Sequence, residues 1–209
     1  MINYSYFIQN DDSPAVVIVD PAWEPEKIRE FIYIHGFDPV AIFVTHSHPD
    51  HSHLAGPLAG LYDCKVYMSE KEAAYYDFRC NGLNLFRSEE SITAGGLTVK
   101  PIFTPGHTAG SCCYLIENVL FTGDTLFIEG CGLCEGPGAD PEEMYYSLRK
   151  LKATLRADTL IYPGHRFRKE PGLPFEQVIP SNIYLQIDNP QQFISYRMRK
   201  NQASSFKFI

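Results

Sequence analysis

Three imidazoles and a carboxylate fall within six positions, at His46, His48, Asp50 and His51, in the stretch Thr45-His46-Ser47-His48-Pro49-Asp50-His51. Neutral imidazole and carboxylate are ligands for borderline divalent cations. With no thiolate in the stretch, the set suits Zn2+, Fe or Mn rather than a cysteine-rich structural zinc knot. The competing explanation is a polar loop that collected its histidines by chance. Four of the chain's seven histidines, at 46, 48, 51 and 53, lie within eight positions, which argues against it. Further ligand-type residues recur in similar settings: His107 after Pro105-Gly106, Asp124 after Thr122-Gly123, and His165 after Pro163-Gly164.

Each of these residues follows an apolar run. Val40 to Val44 leads into His46, Leu97 to Phe103 into His107, Val119 to Phe121 into Asp124, and Leu160 to Tyr162 into His165. Strand, small-residue turn, ligand is therefore the unit, and four such strand ends converging would build one site. Around them, Tyr4 to Gln9 and Ala15 to Val19 read as a hairpin across Asn10-Asp11-Asp12-Ser13-Pro14, ending in Asp20. Pro25 suits the first turn of a helix with Ile28, Phe31, Ile32 and His35 on one face and Gly36 just past its end. A short helix is predicted through Leu54, Leu58 and Leu61, with His53 on its exposed side, then a strand over Lys65 to Met68 and a helix over Glu70 to Asp77. Residues 81 to 96 read as irregular, with Gly95-Gly96 as a turn; Ser111 to Ile116 pairs with Val119 to Phe121. Asp140 caps a helix with Pro141 in its first turn and Met144, Leu148, Leu151 and Leu155 inward. Mixed strands and helices, with hairpins and crossovers, predict an α/β (α+β) architecture of two mixed sheets face to face with helices outside.

The 209 residues, 44% of them hydrophobic, suffice for one sizeable core, so a single domain over 1–209 is expected. No run reaches the roughly 18 apolar residues of a membrane span. The opening MINYSYFIQNDD lacks a signal peptide's basic region and cleavage site, so a cytoplasmic protein without membrane or nucleic-acid partners is expected. Six cysteines spread along the chain fit reduced thiols, and Cys131-Gly132-Leu133-Cys134 is a CxxC spacing with no predicted helix start to lower a thiol pKa. The net charge of −7 is uneven: residues 1–140 hold 7 Lys and Arg against 19 Asp and Glu, residues 141–209 hold 11 against 6. The basic last third is either a solvated face or a docking surface for an anionic partner.

Taken together, THSHPDH at 45–51, PGH at 105–107, FTGDT at 121–125 and YPGH at 162–165 resemble the metallo-β-lactamase superfamily, which implies an αββα sandwich. FTGDTLFIEGCG is similar to its glyoxalase II group, which hydrolyses thioesters. The resemblance puts His46, His48 and His107 on one metal, Asp50, His51 and His165 on a second, and Asp124 between them. Two such cations about 3.5 Å apart lower the pKa of nearby water toward neutrality. Asp50 then orients the attacking water, and Asp20 orients the histidine-bearing loop by hydrogen bonds. Substrate contacts implied by the same resemblance are Cys131, Gly132, Leu133, Arg166, Phe167 and Arg168.

Two departures bear on the substrate's thiol. Glyoxalase II enzymes carry a glutathione-contacting Lys after the GCG turn, where this chain has Leu133, and an acidic residue and Tyr after the last His, where it has Arg166-Phe167. Residues 170–209 stand as a short extension in place of their helical C-terminal domain. The stretch GCGLCEGPGADPEEMYYSL and the short tail resemble the zinc-dependent hydrolases of bacterial trans-acyltransferase polyketide biosynthesis. That implies a thioester hydrolase acting on acyl groups held by an acidic carrier protein, which the basic third could receive. The rival readings are a hydroxyacylglutathione hydrolase, a mononuclear iron persulfide dioxygenase, and a non-catalytic relative. The residues after GCG depart from the dioxygenase signature, the Asp in FTGDT from the class B β-lactamases, and loss of ligands would mark the non-catalytic relative.

Overall fold

The computed structural model describes residues 2–11 and 13–200; Asp12 of the first turn and residues 201–209 of the extension lie outside the described residues. Alternation along the central strands builds the layers. In Ala15–Val19 the side chains of Val16 and Ile18 face one way and those of Val17 and Val19 the other, and all four are buried. Val16 and Ile18 join Ile42, Val44, Val66 and Met68 against Ile28 and Ile32 of the Pro25–His35 helix and Leu58 of the Ala55–Tyr62 helix. Val17, Val19 and Phe43 instead meet Val99, Tyr114, Ile116 and Phe121 of the second sheet. The outer face of that sheet, Ile102, Leu120 and Ile161, packs on Met144, Leu148 and Leu151 of the Pro141–Thr154 helix and on Phe175, Val178 and Phe193. Helix, sheet, sheet, helix is the expected αββα sandwich.

The first sheet runs Tyr6–Gln9, Ala15–Val19, Asp38–Phe43, Lys65–Ser69, Leu83–Phe86, and the second Leu173–Pro174, Leu160–Pro163, Val119–Gly123, Cys112–Ile116, Leu97–Phe103, Ile92–Ala94. Their directions position the site. Ala15–Val19 and Asp38–Phe43 are parallel, so Asp20 and His46 leave the same edge. Val119–Gly123 is parallel to Leu160–Pro163 and two antiparallel steps from Leu97–Phe103, so Asp124, His165 and His107 also leave one edge. A backbone bond from the Cys112 N–H to the Thr45 carbonyl, 3.0 Å, joins the two edges.

Several expectations are corrected. Residues 81–96 contain two strands: Leu83–Phe86 adds a parallel edge, and Ile92–Ala94 forms a hairpin over Gly95 and Gly96, whose φ values of 57° and 78° suit a two-residue turn. On the first helix Phe31 is 41% exposed and meets Phe7, Phe37 and His35 at tilted and edge-on angles at the periphery, leaving Ile28 and Ile32 as the inward face. Leu61 is 53% exposed, so Leu54 and Leu58 carry that contact. The extension holds the helices Phe175–Ser181, Ile183–Gln186 and Pro190–Arg197. Among the described residues no helix is long and apolar enough to cross a membrane.

Candidate metal centre

The strand ends deliver their side chains in two groups. His46 Nε2 and His107 Nε2 lie 3.1 and 3.0 Å from His48 Nδ1. In the second group His165 Nε2 lies 3.2 Å from both His51 Nε2 and Asp50 Oδ2. Asp124 stands between them: Oδ1 is 3.3 Å from both His51 and His165, and Oδ2 is 3.6 Å from His107. All seven residues expected at the centre therefore meet, and each group draws on both sheets.

Hydrogen bonds fix which ring nitrogens face inward. The Leu133 carbonyl is 2.7 Å from His107 Nδ1, which must donate to it, leaving the Nε2 lone pair for the centre. Asp20 is buried and holds the other side: Oδ1 accepts from the Thr45 N–H at 2.7 Å, and Oδ2 accepts from Thr45 Oγ1 at 2.6 Å and from His51 Nδ1 at 2.9 Å. Since the Thr45 hydroxyl proton goes to Asp20, Thr45 Oγ1 accepts from His46 Nδ1 at 3.0 Å. His46 and His107 thus present a bare Nε2, and His51, its Nδ1 held by Asp20, turns its Nε2 to Asp124 at 3.3 Å, an arrangement that suits a cation. Buried Asp124 Oδ1 has no hydrogen-bond partner, which fits a cation ligand equally.

The carboxylates and imidazoles of the centre shift one another's ionisation. Burial opposes ionisation of Asp124, but His51, His165 and His107 outweigh it and hold the carboxyl well below its usual range. Burial likewise opposes charge on His165, yet Asp124 and Asp50 raise its pKa to about 9. His46 and His48 lie lower than an ordinary imidazole, chiefly because burial disfavours the cation, whereas on His51 burial is outweighed by Asp124 and Asp20, which hold it well above; a bound cation would replace the protons on His51 and His165.

Glycines permit the approach. A Cβ on Gly132 would lie 2.1 Å from the Asp124 carbonyl oxygen and 2.9 Å from His107 Nδ1, and one on Gly164 would lie 2.4 Å from His51 Cε1. Of the expected substrate contacts, Cys131 is buried in the outer core and Gly132 lies beneath the centre, whereas Leu133 exposes 44% of its surface. Phe167 packs edge-on against Phe127 at 4.8 Å, itself 6.1 Å from the His165 ring. Arg166 pairs with Glu170, and Arg168 is exposed. His53 stays outside the centre, its ring tilted against Trp23 at 4.8 Å. Burial raises the Cys134 thiol to about 12 and Cys131 further, so the CxxC spacing carries no reactive thiolate.

Two contributors escaped the sequence. Asn3, in a two-residue strand paired with His165-Arg166, donates to the Asp50 carbonyl at 2.9 Å. Glu72, fully buried, binds the loops of His46 and His107. Ser69-x-x-Glu72 looks like a helix capping box, and that signal hides its contacts.

Residues 1–165 match the model of the metallo-beta-lactamase superfamily. Over 206 residues, 99% of this chain and 92% of the relative, the chain is 42% identical to the probable polyketide biosynthesis zinc-dependent hydrolase BaeB of Bacillus velezensis. Hydroxyacylglutathione hydrolase of Shewanella oneidensis is 34% identical, covering 90% of this chain and 71% of its own. The crystal structure of ETHE1 from Myxococcus xanthus superposes with a TM-score of 0.85 at 26% identity, over 95% of this chain and 86% of that one. With the sandwich, the matched model and these relatives in agreement, the chain belongs to the metallo-beta-lactamase superfamily.

Proposed function

We propose that the chain is a cytoplasmic, single-domain, metal-dependent thioester hydrolase that releases acyl groups from an acidic acyl carrier protein in polyketide biosynthesis. The observation that carries the metal dependence is Asp124, which turns one oxygen to each ligand group. His46, His48 and His107 would hold one divalent cation and Asp50, His51 and His165 the other, with Asp124 bridging; Zn2+ suits the set, with Fe or Mn as alternatives. Such a pair, when bound, supplies a nucleophile at neutral pH and stabilises charge on a carbonyl oxygen.

The chain's own residues do the rest. Asp50 is partly exposed at the centre, and although burial opposes it, His165 and His51 keep its carboxyl ionised. It can therefore accept a hydrogen bond from the attacking water and aim it. The leaving thiol has a pKa of about 8.5 and needs little protonation. Leu133 and Phe167 offer apolar surface, which suits the neutral arm of a pantetheine better than the two carboxylates of glutathione. The relative named for polyketide biosynthesis, 42% identical, supports the carrier protein as the donor of that arm. Hydroxyacylglutathione hydrolase, 34% identical, supports glutathione thioesters as the second reading.

Metal analysis and hydrolysis of one acyl group on carrier protein, short pantetheine and glutathione test the proposal. About two cations per chain and the highest kcat/KM on the carrier thioester are expected. Lactoylglutathione as the better substrate at every salt concentration would overturn the carrier reading, and one iron per chain with oxygen consumption on a persulfide would overturn the hydrolase.

A further inference from the structure

The Glu70–Tyr75 helix sends one side chain to the loops that carry the three imidazoles. Glu72 is 0% exposed, and each of its carboxylate oxygens serves a different loop. Oε1 accepts from the Ser47 N–H at 2.8 Å and from Ser47 Oγ at 2.7 Å. Oε2 accepts from Thr108 Oγ1 at 2.9 Å and from the Gly110 N–H at 2.8 Å. Ser47 lies between His46 and His48, and Thr108 follows His107.

We infer that Glu72 is a positioning residue that sets the distance between the loop of His46 and His48 and the loop of His107, and so shapes the three-imidazole site for its cation. The inference rests on the metal-binding reading of that site. Its physical basis is satisfaction. A buried carboxylate only accepts, and here four donors fill it, two on each oxygen. Shifting either loop would strip an oxygen of both partners inside the protein, a costly exposure of buried charge. The helix is locked against the second loop in turn: Ser69 Oγ donates to the Gly110 carbonyl at 2.7 Å, and a Cβ on Gly110 would lie 2.2 Å from Glu72 N. Neither oxygen touches Asp50, His51 or His165, so the effect should be confined to one group.

Co2+ titration of the metal-stripped full-length chain tests this in two backgrounds. His165→Ala leaves the three-imidazole group as the intact site, and His48→Ala leaves the other. Adding Glu72→Gln places an amide N–H2 where an oxygen met two donors. Co2+ affinity at the three-imidazole group should fall about tenfold or more, with altered d–d absorption bands, and change by less than about twofold at the other. Equal weakening at both groups would make Glu72 a merely structural clamp, and no weakening at either would overturn the inference. Should Glu72→Gln fail to fold, Ser47→Ala, which removes one of the four donors, should show the same selective loss at smaller size; an unchanged Ser47→Ala overturns the inference. A parent chain that binds no Co2+ overturns the metal reading itself, and this inference with it.

Discussion

The proposed function gives Asp50 two duties, to ligate and to aim water, and Asp50→Asn would separate them by keeping the shape while removing the charge. The expected outcome is a fall in kcat on the order of 10² with both cations largely retained, read from steady-state kinetics beside metal analysis; an active Asn variant would remove the aiming role. Asp124→Ala should instead lose both cations and the activity, because its two oxygens face the two groups. Gly164→Ala tests the close approach: its methyl would meet His51 Cε1 at 2.4 Å and Asp124 Oδ1 at 2.9 Å, so metal affinity should drop about tenfold while far-UV circular dichroism is unchanged. At this scale the seven ligand-type residues were legible because imidazole and carboxylate stand out beside Gly and Pro. The Leu133 carbonyl that orients His107 was not legible, since any residue could supply it. Glu72 was concealed by the helix-capping pattern it also fits.

Between residues and molecule lies the turn from Phe127 to Gly130, just after Asp124, which is carried by the C-terminal extension. The buried Asn182 side chain donates to the Phe127 carbonyl at 3.0 Å and to the Gly130 carbonyl at 2.8 Å. The Gly130 carbonyl also accepts from the Phe127 N–H at 2.8 Å, so Asn182→Ala would orphan the Phe127 carbonyl and uncap the Tyr184 N–H, at a cost of about 2 kcal/mol, which should lower the urea midpoint with an unchanged m-value. The strands leading to ligands were legible because Val119 to Phe121 and its counterparts are apolar runs cut off by small residues. Leu83–Phe86 was not: it is four residues at a sheet edge with Leu85 44% exposed, too short and too wet to show a period. Pro174, Pro180 and Pro190 break the extension into helices of seven, four and eight residues, below the length at which a helical stripe can be recognised.

For the whole molecule, the uneven charge is the feature that a carrier protein would sense. Among the basic residues of the last third, two sets have distinct surroundings. Arg149 and Lys152 both reach Asp188, while Arg166 pairs with Glu170 and Lys169 Nζ donates to Ser181 Oγ. Such exposed pairs hold their charges by only about 0–1 kcal/mol, so Arg166 and the exposed Arg168 remain able to meet an anionic surface beside His165. The rate advantage of carrier thioesters over a short pantetheine thioester should therefore shrink with added salt, as surface attraction is screened within about 10 Å at 0.1 M. Arg166→Glu with Arg168→Glu should shrink it in the same direction through KM. An advantage indifferent to both salt and charge reversal would assign recognition to apolar contacts.

Each ligand group spans the two sheets, and the closest pairs across it, His48 with His107 and His51 with His165, are 59 and 114 residues apart in the chain. No partly folded segment holds a complete set. A cation bound there would bind the native state and not the unfolded one, adding about 4 kcal/mol per site at a thousandfold excess over its dissociation constant. Metal supply would then govern how long the polypeptide survives as well as how fast it turns over substrate. Chelation in a cell should first be visible as faster proteolytic clearance of the chain, with restored metal halting the loss of protein before new synthesis replaces it.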